Sequence, residues 1–217
     1  MDRESVSLDQ QRWDALWSRL GAQGTDHSIF RHLVASYSES SRVYHTAEHI
    51  LDCLAQLDLT RALAQRPDEV EVGLWFHDVV YLPGASDNEE QSAQLAQTAL
   101  AASSVPQETS RRVAALVLAT RHLTLPPEPD AQLLCDIDLS IMGRDPETFD
   151  RFERRIRGEY AWVPEPVYRS SRAEVLSGFL RRRSIYLTAH FRDRYEVPAR
   201  QNLHRLIARL GSESSTA

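Results

Sequence analysis

Apolar residues recur along this chain at helical spacing, and convincing runs of strict alternation are missing. Leu8, Trp13, Leu16, Trp17 and Leu20 form one stripe, which a capping box from Ser7 to Gln10 would open and Gly21 would close. Ile29, Phe30, Leu33, Val34 and Tyr37 form a second stripe, with Asp26 as its cap. A polar loop from Ser38 to Arg42 follows. Then a helix over about 46–58 turns Ile50, Cys53, Leu54 and Leu57 inward. Pro67 suits the first turn of a helix that reaches His77.

Pro83 and Gly84 break the chain, Asp87 to Glu90 reads as a cap, and Ala93, Ala96, Ala99 and Leu100 mark the helix behind it. Pro106 opens a helix with Val113, Leu116 and Val117 inside, and Pro126, Pro127 and Pro129 mark a loop. The stretch 133–141 is short and apolar. Asp145-Pro146 starts a helix burying Phe149, Phe152 and Ile156; 159–166 reads as irregular, and final helices are expected near 171–190 and 197–210. The pattern predicts an all-α fold in one domain over 1–211. Its core spans about 27–142, with C-terminal helices over 146–210 and a disordered tail at 212–217.

Composition narrows the function classes. With 217 residues, 42% hydrophobic and 26% charged, the chain suits one globular core. A net charge of -6 speaks against a nucleic-acid surface. No apolar run is long enough to span a membrane, the first residues are polar and unlike a signal peptide, and a cytoplasmic protein is expected. Cys53 and Cys135 lie far apart in apolar segments and read as free core thiols. All 25 basic residues are arginine, which excludes a phosphate-loop lysine or a Schiff-base enzyme.

The chemistry gathers around Leu74-Trp75-Phe76-His77-Asp78-Val79-Val80-Tyr81. A carboxylate in apolar surroundings is costly to bury unless it is paired or bound to a metal. His77 and Asp78 point roughly 100° apart on a helix, and a cation in that wedge reaches both. Upstream, Tyr44-His45-Thr46-Ala47-Glu48-His49 carries two histidines four apart on one face. They could share a metal, or one could bind it while the other works as an acid; a capped helix start with a surface histidine is the plain alternative. Downstream, Asp136 and Asp138 sit in an apolar segment, and Asp136 could instead cap a helix and leave Asp138 as the ligand. His49, His77, Asp78 and Asp138 make a mixed nitrogen and oxygen set. It suits manganese, iron, cobalt, nickel or zinc, with magnesium admitted, better than a structural zinc.

This arrangement resembles the HD superfamily of metal-dependent phosphohydrolases, whose signature is H…HD…D on a helical core. The whole chain is similar to a small bacterial group of predicted metal-dependent HD phosphohydrolases. YHTAEHI, LWFHDVVY, DNEEQSA, CDIDLSIMG and EYAWVPEPVYRSSR carry the likeness over about 42–202. The entry motif is also similar to that of cyclic-nucleotide phosphodiesterases, although their long nucleotide pocket is absent. The resemblance implies an HD-type helical bundle with His49, His77, Asp78 and Asp138 as ligands and His45 as proton donor. It also implies a metal-dependent phosphohydrolase but names no substrate; the reaction expected here is attack of metal-activated water on a phosphate ester, expected to be a nucleotide, with Asp78 or an acid near Asn88 orienting the water.

Arginine is the only cationic donor class for a phosphate. Arg42, Arg157 and Arg172 are the candidates, with Glu89, His122 and Tyr160 as further substrate contacts. A second metal would need His122 and is not expected. Two other classes stay open: a di-iron oxygenase, which iron spectroscopy would reveal, and a nucleotide-binding sensor that turns nothing over. Substrate identity, metal identity and oligomeric state are left open.

Overall fold

A computed structural model describes residues 7–24 and 27–212. Among them the fold is all-α, with ten α-helices and no strands. The described residues divide into two compact units, the first ending at Ile137 and the second beginning at Asp138. The proposed Asp26 cap and the tail beyond Ser212 lie outside the described residues.

The first unit holds α1 (Gln10–Arg19), α2 (Ser28–Ser36), α3 (Ala47–Thr60), α4 (Pro67–Phe76), α5 (Asn88–Ala102), α6 (Gln107–Ala119) and α7 (Pro129–Asp138, whose last residue begins the second unit). Its centre is α4. Val70, Val72, Leu74, Trp75 and Phe76 are all fully buried, so most of this helix faces the core. Trp13 stacks on Trp17 at 4.5 Å and meets Trp75 edge-on at 5.4 Å. The Tyr37 hydroxyl donates to the Trp75 carbonyl at 2.8 Å. These contacts fix the C-terminal end of α4, where His77 and Asp78 follow.

Two acids on α4 are buried, and each is met by arginine. Glu69 takes Arg112, while Glu71 accepts from Arg12, Arg19 and Arg61. The α1 cap is Asp9, whose carboxylate accepts the Gln11 N–H at 2.8 Å, in place of the Ser7 box expected from the sequence. Asp9 stands directly before the first helical residue, within reach of an orphan N–H.

Gly73 lets α6 and α7 approach this central helix. A Cβ there would meet Leu134 Cδ1 at 2.6 Å and Leu116 Cβ at 3.3 Å. Gly73→Ala is expected to destabilise the protein by about 1–3 kcal/mol through overpacking, read as a lower denaturation midpoint.

The second unit contains a 3-10 helix (Leu139–Gly143), α8 (Pro146–Glu159), α9 (Glu165–Leu180) and α10 (Ala189–Ser212). Asp145 caps α8 by accepting the Thr148 N–H. The irregular stretch expected at 159–166 is shorter, because α9 begins at Glu165. The last two helices also differ from expectation. α9 ends at Leu180, and α10 runs through Pro198 without a break. Pro198 deprives the exposed turn around Arg194 of one hydrogen bond, and water can satisfy that carbonyl. Meanwhile Tyr195, Ala199, Asn202 and Leu203 stay buried on the opposite face.

The segment between α9 and α10 is held from a distance. Glu196 accepts the N–H groups of Ile185 and Tyr186 and the Ser184 hydroxyl. Arg200 donates to the Leu180 and Arg182 carbonyls. Burial alone would raise the pKa of Glu196. The Ile185 and Tyr186 N–H groups, with Ser184 and Arg200, outweigh it and hold the carboxyl below its ordinary value. The stability this contributes is present above about pH 4.3, the unfolded reference, and is lost as pH falls through the folded value. Glu196→Gln is expected to lower Tm at neutral pH and to flatten the acid limb of the stability profile.

Candidate metal centre

The site is assembled from three places in the chain. α3 presents His49 and, one turn on, Cys53. Thr46 stands in extended conformation before α3, so the helix starts at Ala47 and gives His49 a fixed place in its first turn. α4 ends at Phe76, which puts His77 at the helix cap and Asp78 in the turn beyond. Asp138 is the last residue of α7.

The donor atoms converge. His49 Nε2 lies 3.1 Å from His77 Nε2. Asp78 Oδ2 lies 3.0 Å from His77 Nε2 and 3.5 Å from His49 Nε2. His49, Cys53, His77 and Asp138 each offer a ligand atom, and these atoms all lie within 4.8 Å of one another. His49, Cys53 and His77 are buried and Asp138 is half-buried. Together they form a group that could hold a metal ion.

The spacing fits one ion. Bonds of about 2.0–2.1 Å from nitrogen or oxygen to a cation place two donors about 2.9 Å apart at a right angle and about 3.3 Å apart at the tetrahedral angle. The separations of 3.1 and 3.0 Å fall inside that range, and the 3.5 Å between His49 and Asp78 lies just above it. Ring orientation agrees. His77 Nδ1 donates to the Leu74 carbonyl at 2.9 Å, which leaves the lone pair of a neutral ring on Nε2, facing the other donors.

Asp78 is electrostatically dominated by its neighbours. Burial alone would raise its pKa; His77, His45 and His49 outweigh that and hold the carboxyl well below the usual range. The carboxylate form, the one a cation needs, is therefore favoured.

His45 stands beside the group and outside it. Its ring stacks on Tyr81 at 4.0 Å and lies 5.9 Å from the His49 ring. Tyr81 is set by the loop that follows Asp78. Asn88 bonds both the N–H and the carbonyl of Leu82, and the Ser92 hydroxyl bonds the N–H of Val80. The start of α5 thus clamps this loop. Asp87 precedes α5 without a side-chain cap bond and instead accepts from Gln91.

Arg42 has a different task from the one read in the sequence. Its side chain is 1% exposed, so it is not a free phosphate donor. The guanidinium donates to the Asp78 carbonyl at 2.5 Å and the Val79 carbonyl at 2.8 Å, pairs with Glu39, and lies over the Tyr37 and Tyr81 rings. Arg42 therefore braces the turn that carries Asp78. Arg42→Ala is expected to weaken metal binding by about 10- to 100-fold, the usual cost of losing such a support. Titration of apo protein with zinc measures it.

Glu89 sits half-buried in the first turn of α5, and its neighbour Glu90 pairs with Arg121. His122 takes a left-handed backbone conformation (φ 54°) just past α6 and is not one of the converging donors. In the second unit, Arg157 is committed to Glu165 and to the Tyr160 and Val163 carbonyls. Arg172 is paired with the buried Glu153. Both guanidiniums are thus engaged by their own unit, because each stands one helical turn or one hairpin from a matching acceptor. Tyr160 lies 6.2 Å from the Tyr168 ring and lines a groove of about 230 Å³ with Trp162 and Arg172.

One feature escaped the sequence. Cys53, read as a core thiol, belongs to the converging group; its position four residues after His49 was the available signal. Asp136 is fully buried, and the two-residue offset turns it about 200° from Asp138 on α7. Of the two, only Asp138 belongs to the converging group. No helix among the described residues is long and apolar enough to cross a membrane. No protein-family model, curated protein or solved structure matches the chain.

Proposed function

We propose that this protein is a metal-dependent phosphohydrolase that cleaves a phosphate ester, most simply a nucleotide. The observation that carries the reading is the approach of His49 Nε2, His77 Nε2 and Asp78 Oδ2 to within 3.0–3.5 Å, with Asp138 and Cys53 grouped with the same two histidines. A divalent cation held there supplies Lewis acidity and a reactive water at neutral pH. The HD-type resemblance of the sequence points to the same chemistry.

The chain's own residues divide the work. His49, His77, Asp78 and Asp138 would hold the cation. Asp78 keeps its carboxylate form and can accept a hydrogen bond from the attacking water, which orients it. His45 is half-exposed beside the group, so a substrate can reach it, and the Tyr81 ring limits its rotation. In its protonated form His45 donates a proton to the leaving oxygen. Burial of the two ligand imidazoles keeps bulk water from competing for the donors.

A screen of phosphatase and phosphodiesterase activity over nucleotides, with one divalent metal at a time and His77→Ala as the blank, tests the proposal. Metal-dependent release of phosphate or nucleotide by the native chain alone is expected. Activity equal to the blank with every metal and substrate would reject it.

A further inference from the structure

Cys53 is 2% exposed on the buried face of α3, four residues after His49. Its Sγ lies 3.8 Å from each ring nitrogen of His49, and it shares the 4.8 Å group with His77 and Asp138. The other cysteine is placed differently: Cys135 Sγ donates to the Ala119 carbonyl at 3.3 Å and lies outside the group. The sulfur position can be compared with coordination geometry. Bonds of about 2.3 Å to thiolate and about 2.0–2.1 Å to imidazole set sulfur and nitrogen about 3.6 Å apart on a tetrahedral ion. The sulfur is 3.8 Å from both ring nitrogens and so lies alongside the His49 ring; a change of the Cys53 rotamer would carry it to an ion held on Nε2.

We propose that Cys53 is an inner donor of the metal centre, as the thiolate, and that the centre is therefore built for zinc, cobalt(II) or iron(II) rather than magnesium or calcium. Thiolate is a soft ligand and gains little from hard cations, which prefer all-oxygen shells. On binding, the sulfur–metal bond forms as the thiol proton passes to solvent, with no change of oxidation state. This inference rests on the metal-centre reading above and adds the class of cation to it.

Cobalt(II) added to the metal-free full-length chain tests the proposal, because cobalt reports its ligands by absorption. The native protein is expected to show visible ligand-field bands together with an intense near-ultraviolet thiolate-to-cobalt band. Cys53→Ser should keep the visible bands and lose the ultraviolet one, with zinc affinity lowered about 10-fold or more and no change for magnesium. Cys135→Ser should keep both bands. Native protein that binds cobalt without the ultraviolet band overturns the role of Cys53 and leaves the metal centre standing. Native protein that binds neither cobalt nor zinc overturns both. If Cys53→Ser does not fold, zinc-edge X-ray absorption of the native protein decides. A sulfur shell at about 2.3 Å supports the proposal, and a shell of nitrogen and oxygen alone refutes it.

Discussion

Replacing His77 with alanine is expected to remove metal binding and metal-dependent hydrolysis together. The imidazole sits at the centre of the donor set, 3.1 Å from His49 Nε2 and 3.0 Å from Asp78 Oδ2. Losing a supporting group around a metal costs about 10- to 100-fold in affinity, so loss of a ligand itself should exceed that range. Asp78→Ala should behave alike, with the added effect of removing the carboxylate that the three histidines favour. Elemental analysis of the purified variants, alongside turnover, gives the readout. A His77→Ala protein that retained stoichiometric metal and native turnover would refute the assignment.

His45→Ala should separate binding from catalysis. The ring lies outside the converging donors and packs on Tyr81, so the variant should keep its metal. Turnover should fall by about 10²- to 10⁴-fold, the usual contribution of a general acid. The loss should be large for alkyl phosphate esters, whose leaving oxygen needs a proton, and small for nitrophenyl esters, whose leaving group does not. Comparing kcat for the two ester types on native and variant protein provides the measurement. Loss of metal in His45→Ala would instead make this histidine a ligand.

The Arg42 result shows why charge in a sequence misleads about role. Three residues before His45 and lysine-free company made it look like a phosphate donor. In the fold its guanidinium is buried against carbonyls from the turn at Asp78 and Val79, more than thirty residues away in sequence. Arg157 and Arg172 repeat the lesson within the second unit, where local acceptors take up their donors. A guanidinium has five donors in a fixed fork, and carbonyls of a turn or a nearby carboxylate can take them up within the fold.

Helical periodicity and proline positions were enough to determine the all-α class, the course of α3 and α4, and the starts of α6 and α8, because these depend on residues close in the chain. The motif spacing pointed to His49, His77, Asp78 and Asp138, and of these His49, His77 and Asp138 fall in the converging group while Asp78 approaches the two histidines. Tertiary structure alone decided that Cys53 joins them, that Arg42 braces their turn, and that α10 continues through Pro198. Each of these turns on partners far apart in sequence, whose separation in space is set by packing around α4 or by the grip of Glu196 and Arg200, and no local pattern encodes such distances.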